Sequence, residues 1–377
     1  MPETLFDGAF DTPMPVLPNR VRRTYSGGMM IDTWQGKNIS CDGNQPEEWL
    51  ASATPAVNPG FPPIDCEGLA SVVLGNKTHY LRDILNEAPK EILGARHTEQ
   101  SGKELGILAK IIDSAERLSI QVHPDKLFAK EHFHSDYGKT ECWHILETRV
   151  VNGQTPYLLL GFRPGVTKAY WQQLYENQDI PAMIGCLNKV VPHPGDTYFI
   201  PGGMPHAIGS GCFLIEIQEP TDLTLRSERT MQDGTPIPDE LIHQGLGEDL
   251  LMECFHYECM DEKLLKERCY IPRITTYTAA SGTCTLLVGK RNTPCFSMQY
   301  IECFHKLHFQ TSVPTIIIAI RGDGQLIHAH SSYSLKQGEH IFLPAGVHKF
   351  SLLNRNANAP FECVRCFPPN ARPDSPK

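Results

Sequence analysis

The segment Leu118-Ser119-Ile120-Gln121-Val122-His123-Pro124-Asp125 alternates polar and apolar residues. On an extended strand residues two apart share a face, so Ser119, Gln121 and His123 point one way while Ile120 and Val122 point the other. Taken alone, such a strand is an ordinary half-exposed one. It is followed by Gly138-Lys139-Thr140-Glu141-Cys142-Trp143, where the same parity aligns Lys139, Glu141 and Trp143. A third piece, Pro201-Gly202-Gly203-Met204-Pro205-His206, supplies a histidine at a strand-connecting turn. Together Gln121, His123, Glu141 and His206 offer two imidazole nitrogens and two side-chain oxygens. That set suits a divalent ion with an open coordination position, zinc being the favoured one. Downstream, Glu216 and Gln218 share one strand face, and Asp222, Thr224 and Arg226 share another. A carboxylate and a guanidinium thus arrive from either side of one turn, as reactive groups or as a plain ion-pair network.

These residues must be held by a framework, and its pattern is β-rich. Thirty glycines and thirty prolines are scattered among short β-branched and aromatic runs, the signature of many short strands joined by tight turns. Strands are predicted at Leu108 to Ile112, Leu118 to Val122, Thr140 to Glu147, Pro156 to Phe162, Asp196 to Ile200 and Cys212 to Gln218. A second set is predicted at Cys284 to Val288, Phe296 to Phe304, Thr315 to Ile320, Gly324 to Ala329, His340 to Leu343 and His348 to Leu353. Helical spacing marks a short insertion over 166–187 and a connector over 238–268. Two stretches resemble each other, VVPHPGDTYFIPGGMPHAI from Val190 and SLKQGEHIFLPAGVHKF from Ser334. Both resemble the second motif of the cupin barrels. The expected fold is therefore mainly β, a bicupin of two β-barrel or jelly-roll domains. Its parts are a metal-binding domain over 1–237, the connector, and a second domain over 269–377.

Composition narrows the class of partner. With 34 Lys and Arg against 43 Asp and Glu, the formal net charge of −9 argues against a nucleic-acid binder. No apolar run reaches the ~20 residues of a membrane span. The opening MPETLFDGAF lacks a basic start followed by an apolar core, so no signal peptide is read. A cytoplasmic protein is expected, and its 13 cysteines are read as reduced thiols rather than a disulfide framework.

Taken in order, LSIQVHPD, KTECW, PGGMPHAI and IEIQEPTDLTLR resemble the type I phosphomannose isomerases, zinc-dependent mannose-6-phosphate isomerases of the cupin superfamily. Upstream, Pro46-Glu47-Glu48-Trp49-Leu50-Ala51-Ser52 resembles their E-x-W-x-x-(S/T) segment. The resemblance implies one zinc ion per chain on Gln121, His123, Glu141 and His206. It also implies that Lys110 and Ser119 bind the substrate phosphate, and that Lys139, Glu216, Asp222 and Arg226 line the open sugar chain. Three features depart from the family: the helical domain is reduced to a short insertion, GGMMIDTWQGK is unusual, and Glu219-Pro220 replaces smaller or polar residues. The second domain keeps Gly338, Pro344, Gly346 and His348, but Glu302 to Phe309 lacks the paired ligand spacing. It is read as a metal-free copy, with His348 a turn histidine. Cys363-Val364-Arg365-Cys366 is a lone CxxC on a strand, where residues three apart face opposite sides.

The implied reaction interconverts mannose 6-phosphate, or a related hexose 6-phosphate, with fructose 6-phosphate through a cis-enediol. It needs a Lewis acid, a permanently charged donor for the enediolate, and a proton shuttle of tunable pKa. Arg226 suits the donor; Glu216 and Lys139 both suit the shuttle. The rivals are a non-catalytic sugar-phosphate-binding bicupin and a cupin dioxygenase. Gln121 as ligand argues against the latter, and the shuttle residues argue against the former.

Overall fold

The computed structural model describes residues 10–59, 61–75 and 77–376, so most of the opening segment read for a signal sequence lies outside the described residues. Within them the chain is mainly β, with 24 strands and ten helices. Among the described residues five sheets are present and none closes on itself. No described helix is long and apolar enough to cross a membrane.

Strand parity explains the order of the layers. A six-stranded antiparallel sheet runs Thr197–Ile200, Glu141–Thr148, Cys212–Gln218, Leu108–Asp113, Glu47–Leu50, Arg20–Val21. On one face Ala109, Ile111, Cys142, Ile215 and Ile217 join Met298, Ile316, Ile318, Val364 and Cys366 of a seven-stranded sheet in one buried cluster. On the other face Ile112, Trp143, Ile145 and Leu214 pack against Leu158, Leu160 and Ile208 of a five-stranded sheet. The alternate residues of this second sheet, Leu159, Ala207 and Leu225, pack with Trp171, Leu174 and Leu251 of the helices outside it, joined by Phe162, which a register shift beside Gly161 turns to the same face. The seven-stranded sheet repeats the logic: Ile317, Ala319 and Cys363 turn away from the seam toward Leu307, Leu326 and Leu352 of a four-stranded sheet. The six- and seven-stranded sheets meet along a buried seam, whereas the four-stranded sheet leaves its outer face to solvent, with Lys306–Gln310 alternating exposed and buried.

Most predicted strands are present with ends shifted by one or two residues. Leu118 to Val122 is the main exception, since only Gln121–Val122 pairs as strand. Its parity nevertheless survives, with Ile120 and Val122 fully buried in the apolar cluster. Helices Lys168–Asn177 and Ile180–Gly185 occupy the predicted insertion, and Asp239–Ile242, Glu248–Cys254 and Glu262–Cys269 the predicted connector. Unanticipated helices run through Leu81–Glu87, Pro89–Leu93 and Ala95–Ser101, and Lys126–Phe133 follows the ligand strand. Cys363 and Cys366 are both buried and unpaired, in clusters on opposite faces of their strand. His348 is an exposed residue of a turn, unlike fully buried His206.

Candidate active site

The cavity between the six- and five-stranded sheets is lined by Lys110, Ser119, Gln121, Lys139, Glu141, Glu216, Asp222 and Arg226. His123 and His206 adjoin it through Glu141, at 3.0 Å and 3.8 Å. All ten residues singled out in the sequence therefore converge. Cross-strand pairing achieves this: Gln121 stands opposite both His206 and Arg226, Glu216 opposite Lys110, and Gln218 opposite Glu141.

The turn that carries His206 is held close to the ligand strand. Gly203 donates its N–H to the His123 carbonyl at 2.7 Å, with φ at +83°. A Cβ at Gly202 would meet the Asp125 backbone at 2.7 Å, and one at Gly203 the His256 ring at 2.4 Å. Only glycine permits this approach. Asp125 in turn caps the helix Lys126–Phe133, accepting from Phe128 N.

His123, Glu141 and His206 are the one group among the described residues whose ligand atoms lie mutually within 4.8 Å, and all three are buried. His123 Nδ1 bonds the Leu223 carbonyl and His206 Nδ1 the Met204 carbonyl, each at 2.9 Å. A carbonyl only accepts, so each Nδ1 carries the proton and each Nε2 presents a lone pair. These two lone pairs face each other at 3.2 Å, beside a carboxylate whose oxygens find no well-aligned donor. The Gln121 carboxamide reaches the same point, 3.2 Å from His206 Nε2. Burial lowers the pKa of both histidines, and nearby Lys139 lowers that of His123 further, so neutral imidazoles are favoured. Converging lone pairs around an orphaned buried carboxylate fit a cation, and the N2O2 donor set fits zinc.

The opposite wall is a buried charge network. Lys110 Nζ lies 3.0 Å from Glu216 Oε1 and 3.7 Å from Glu47 Oε2. Burial would lower its pKa, but Glu216 and Glu47 outweigh that and raise it. Glu216 accepts from Trp143 Nε1 at 2.9 Å. Burial, then Glu141, raises its carboxyl pKa. Lys139 donates to Thr224 Oγ1 at 3.0 Å and sits 3.4 Å from Glu141 Oε1; burial lowers its pKa. Arg226 donates to the carbonyls of Leu241 at 2.6 Å and Thr224 at 3.4 Å. Burial lowers its pKa to about 10, which leaves it charged at neutral pH.

Arg23, Tyr25 and Glu47 also line this cavity and were given no role from the sequence. Glu47 accepts from Tyr25 Oη and Trp49 Nε1, both at 2.7 Å, and pairs with Arg23 at 3.1 Å. Burial would raise its pKa, but Arg23 and Lys110 hold it far below the usual carboxylate range. Arg23 also holds Asp222, at 3.2 Å. The available signal was the two-residue spacing of Glu47 and Trp49, which puts that pair on one strand face, whereas Arg23 and Tyr25 lie past the end of strand Arg20–Val21.

Comparison with known proteins places this fold among characterised ones. Residues 67–141 match the model of the type I phosphomannose isomerase catalytic domain, and 293–355 that of the mannose-6-phosphate isomerase cupin domain. A mannose-6-phosphate isomerase of Bacillus subtilis is 27% identical over 257 residues, 67% of this chain and 73% of the relative. One from Streptococcus mutans is 24% identical over 279 residues, 68% of this chain and 75% of the relative. The crystal structure of a B. subtilis mannose 6-phosphate isomerase superposes with a TM-score of 0.69 at 21% identity, covering 94% of this chain and 99% of that one. A zinc-bound mannose 6-phosphate isomerase gives 0.69 at 16%, covering 95% and 99%. By family models, curated relatives and solved structures alike, the chain is similar to the type I phosphomannose isomerases.

Proposed function

We propose that the protein is a zinc-dependent isomerase interconverting mannose 6-phosphate and fructose 6-phosphate through a cis-enediol. The observation that carries this reading is the charge balance of the cavity. Its lining holds four cations, Arg23, Lys110, Lys139 and Arg226, and four carboxylates, Glu47, Glu141, Glu216 and Asp222. They cancel, and moving a proton between Lys139 and Glu216 leaves the sum unchanged. A divalent ion on His123, Glu141, His206 and Gln121 leaves an excess of +2, which complements the roughly −1.5 to −2 of a phosphate monoester.

In this reading Ser119 and Lys110 take the phosphate, with Glu47 and Glu216 fixing the ammonium. Zinc would supply Lewis acidity toward the sugar carbonyl or an adjoining hydroxyl. The proton leaves the carbon next to the carbonyl and returns to its neighbour by way of Glu216 or Lys139, both of which burial brings toward neutrality. Arg226 faces the enediolate oxygens as a fixed, planar donor whose charge is present before the reaction begins. Asp222 holds Arg23 and the loop at Val57, and so shapes the sugar-facing wall.

We read the paired sheets as two cupin-type barrels, the first over 1–237, the second over 269–377 and metal-free, with 238–268 between them. A cytoplasmic enzyme acting on a small sugar phosphate, without nucleic-acid or membrane partners, completes the proposal. The test is a coupled assay across a panel of aldose 6-phosphates, with and without chelator. Turnover of mannose 6-phosphate that chelation abolishes and zinc restores is expected. A zinc-loaded, folded protein that turns over none of the panel would overturn the reading.

A further inference from the structure

A cavity of about 680 Å³ lies away from the metal centre and shares no lining residue with it. Helix Ala95–Ser101, the loop between strands Lys306–Gln310 and Thr315–Arg321, and the C-terminal tail from Pro368 form its walls. Three side chains bring positive charge to it, Arg96, Lys290 and Arg372, and none forms an ion pair with a described residue. The lining carboxylate, Asp374, is already neutralised: its Oδ1 is 2.7 Å from Nη2 of Arg365, a fully buried guanidinium enclosed by Phe309, Phe350 and Phe367. The cavity is thus a positive site on a chain of formal net charge −9.

The tail that forms one wall is pinned, so the cavity stands ready rather than awaiting a ligand to shape it. Ser297 Oγ donates to the Ala371 carbonyl at 3.3 Å, and Asn370 N to the Pro294 carbonyl at 3.3 Å. A Cβ at Gly106 would meet Pro369 at 2.7 Å, so the chain from the neighbouring segment packs directly on the tail. His97 at the edge is nearly buried and bonded to the Glu104 carbonyl. The volume lies within the ~300–1,000 Å³ typical of small-molecule sites, and the exposed Ser312 and Asn370 add polar groups between the cations.

We propose that this cavity binds a small metabolite carrying two or more anionic groups, phosphate or carboxylate, at a site separate from the metal centre. Three uncompensated cations around a preformed concavity favour a multiply charged anion over a single one, because each added anionic group gains a charge-assisted partner. The proposal does not depend on the reaction assigned to the metal centre.

The test uses the zinc-loaded full-length protein and its Arg96→Glu/Lys290→Glu/Arg372→Glu variant, titrated calorimetrically with tricarballylate and, separately, with 3-phosphoglycerate. Any binding at the metal centre is common to both proteins, so the difference between them reads the second cavity alone. At least one probe should bind the wild type with one-to-one saturation at this cavity, about tenfold or more tighter than it binds the variant, and the preferred probe identifies the anionic group. Mannose-6-phosphate isomerase activity should be retained by the variant. Each single reversal is titrated as well, so that loss of the triple variant to misfolding still leaves three readings. Equal binding of both probes to wild type and variants, or no saturable binding to either, would overturn the proposal.

Discussion

Lys110 and Glu216 stand directly opposite each other on neighbouring antiparallel strands, their Nζ and Oε1 atoms 3.0 Å apart and both side chains buried. Neither is a free agent. Glu47 approaches Lys110 from the next strand, and Trp143 occupies the second oxygen of Glu216. A residue assigned to phosphate binding and one assigned to proton transfer are therefore one electrostatic unit.

That pairing separates two ways of losing substrate. Lys110→Met should raise KM for mannose 6-phosphate and also cost about 3–5 kcal/mol of stability, because it strands two buried carboxylates. Ser119→Ala should raise KM with little change in Tm. Steady-state kinetics and thermal unfolding on the same preparations check both, and an unaltered Tm for Lys110→Met would mean that Glu216 and Glu47 do not depend on the ammonium.

Arg226 is not the partner of Asp222. Asp222 is held by Arg23 and by Val57 N at 2.9 Å, and its pKa is lowered because Arg23, Lys110 and Lys139 outweigh burial. Arg226→Ala should therefore lower kcat by roughly 10²–10³, about 2.7–4 kcal/mol, while zinc content and Tm stay near wild type. Asp222→Ala should instead loosen Arg23 and lower Tm. A metal-loaded Arg226→Ala enzyme of near-normal kcat would remove Arg226 from the reaction.

Metal removal should be felt in stability as well as turnover. The two Nε2 lone pairs and the Glu141 carboxylate repel one another when nothing lies between them, so zinc binding is coupled to folding. At a thousandfold excess over Kd the ion would contribute about 4 kcal/mol. Chelation should lower Tm and zinc should restore it, with about one ion per chain by elemental analysis. His123→Ala with His206→Ala should abolish both the ion and the shift.

Acid lability should have a contribution from the second half of the chain. His340 is buried with Nε2 unpartnered, and burial lowers its pKa to about 4. An unfolded histidine titrates near ~6.5, so as pH falls from there toward about 4 the unfolded chain takes a proton that the folded one refuses. Stability is lost across that window, by up to about 3 kcal/mol. His340→Leu should flatten the Tm profile between pH 6.5 and 4. A profile parallel to wild type would show that His340 takes up its proton without unfolding the chain.

What the sequence determined by itself was local. The two-residue period settles which side chains share a face, so Gln121, His123, Glu141 and Glu216 were assigned to a polar face from spacing alone, and Ile120 and Val122 to the core. Tertiary structure decided which faces meet. Lys110 is 106 positions from Glu216, and Arg23 is 199 from Asp222, so no spacing rule joins them. The short strands Arg20–Val21 and Glu47–Leu50 complete the cavity only because they add to the edge of a sheet formed by later residues. Pairing register and layer packing are sums over many distant contacts, and they alone turned a row of polar residues into a site with a balanced charge and a place for an ion.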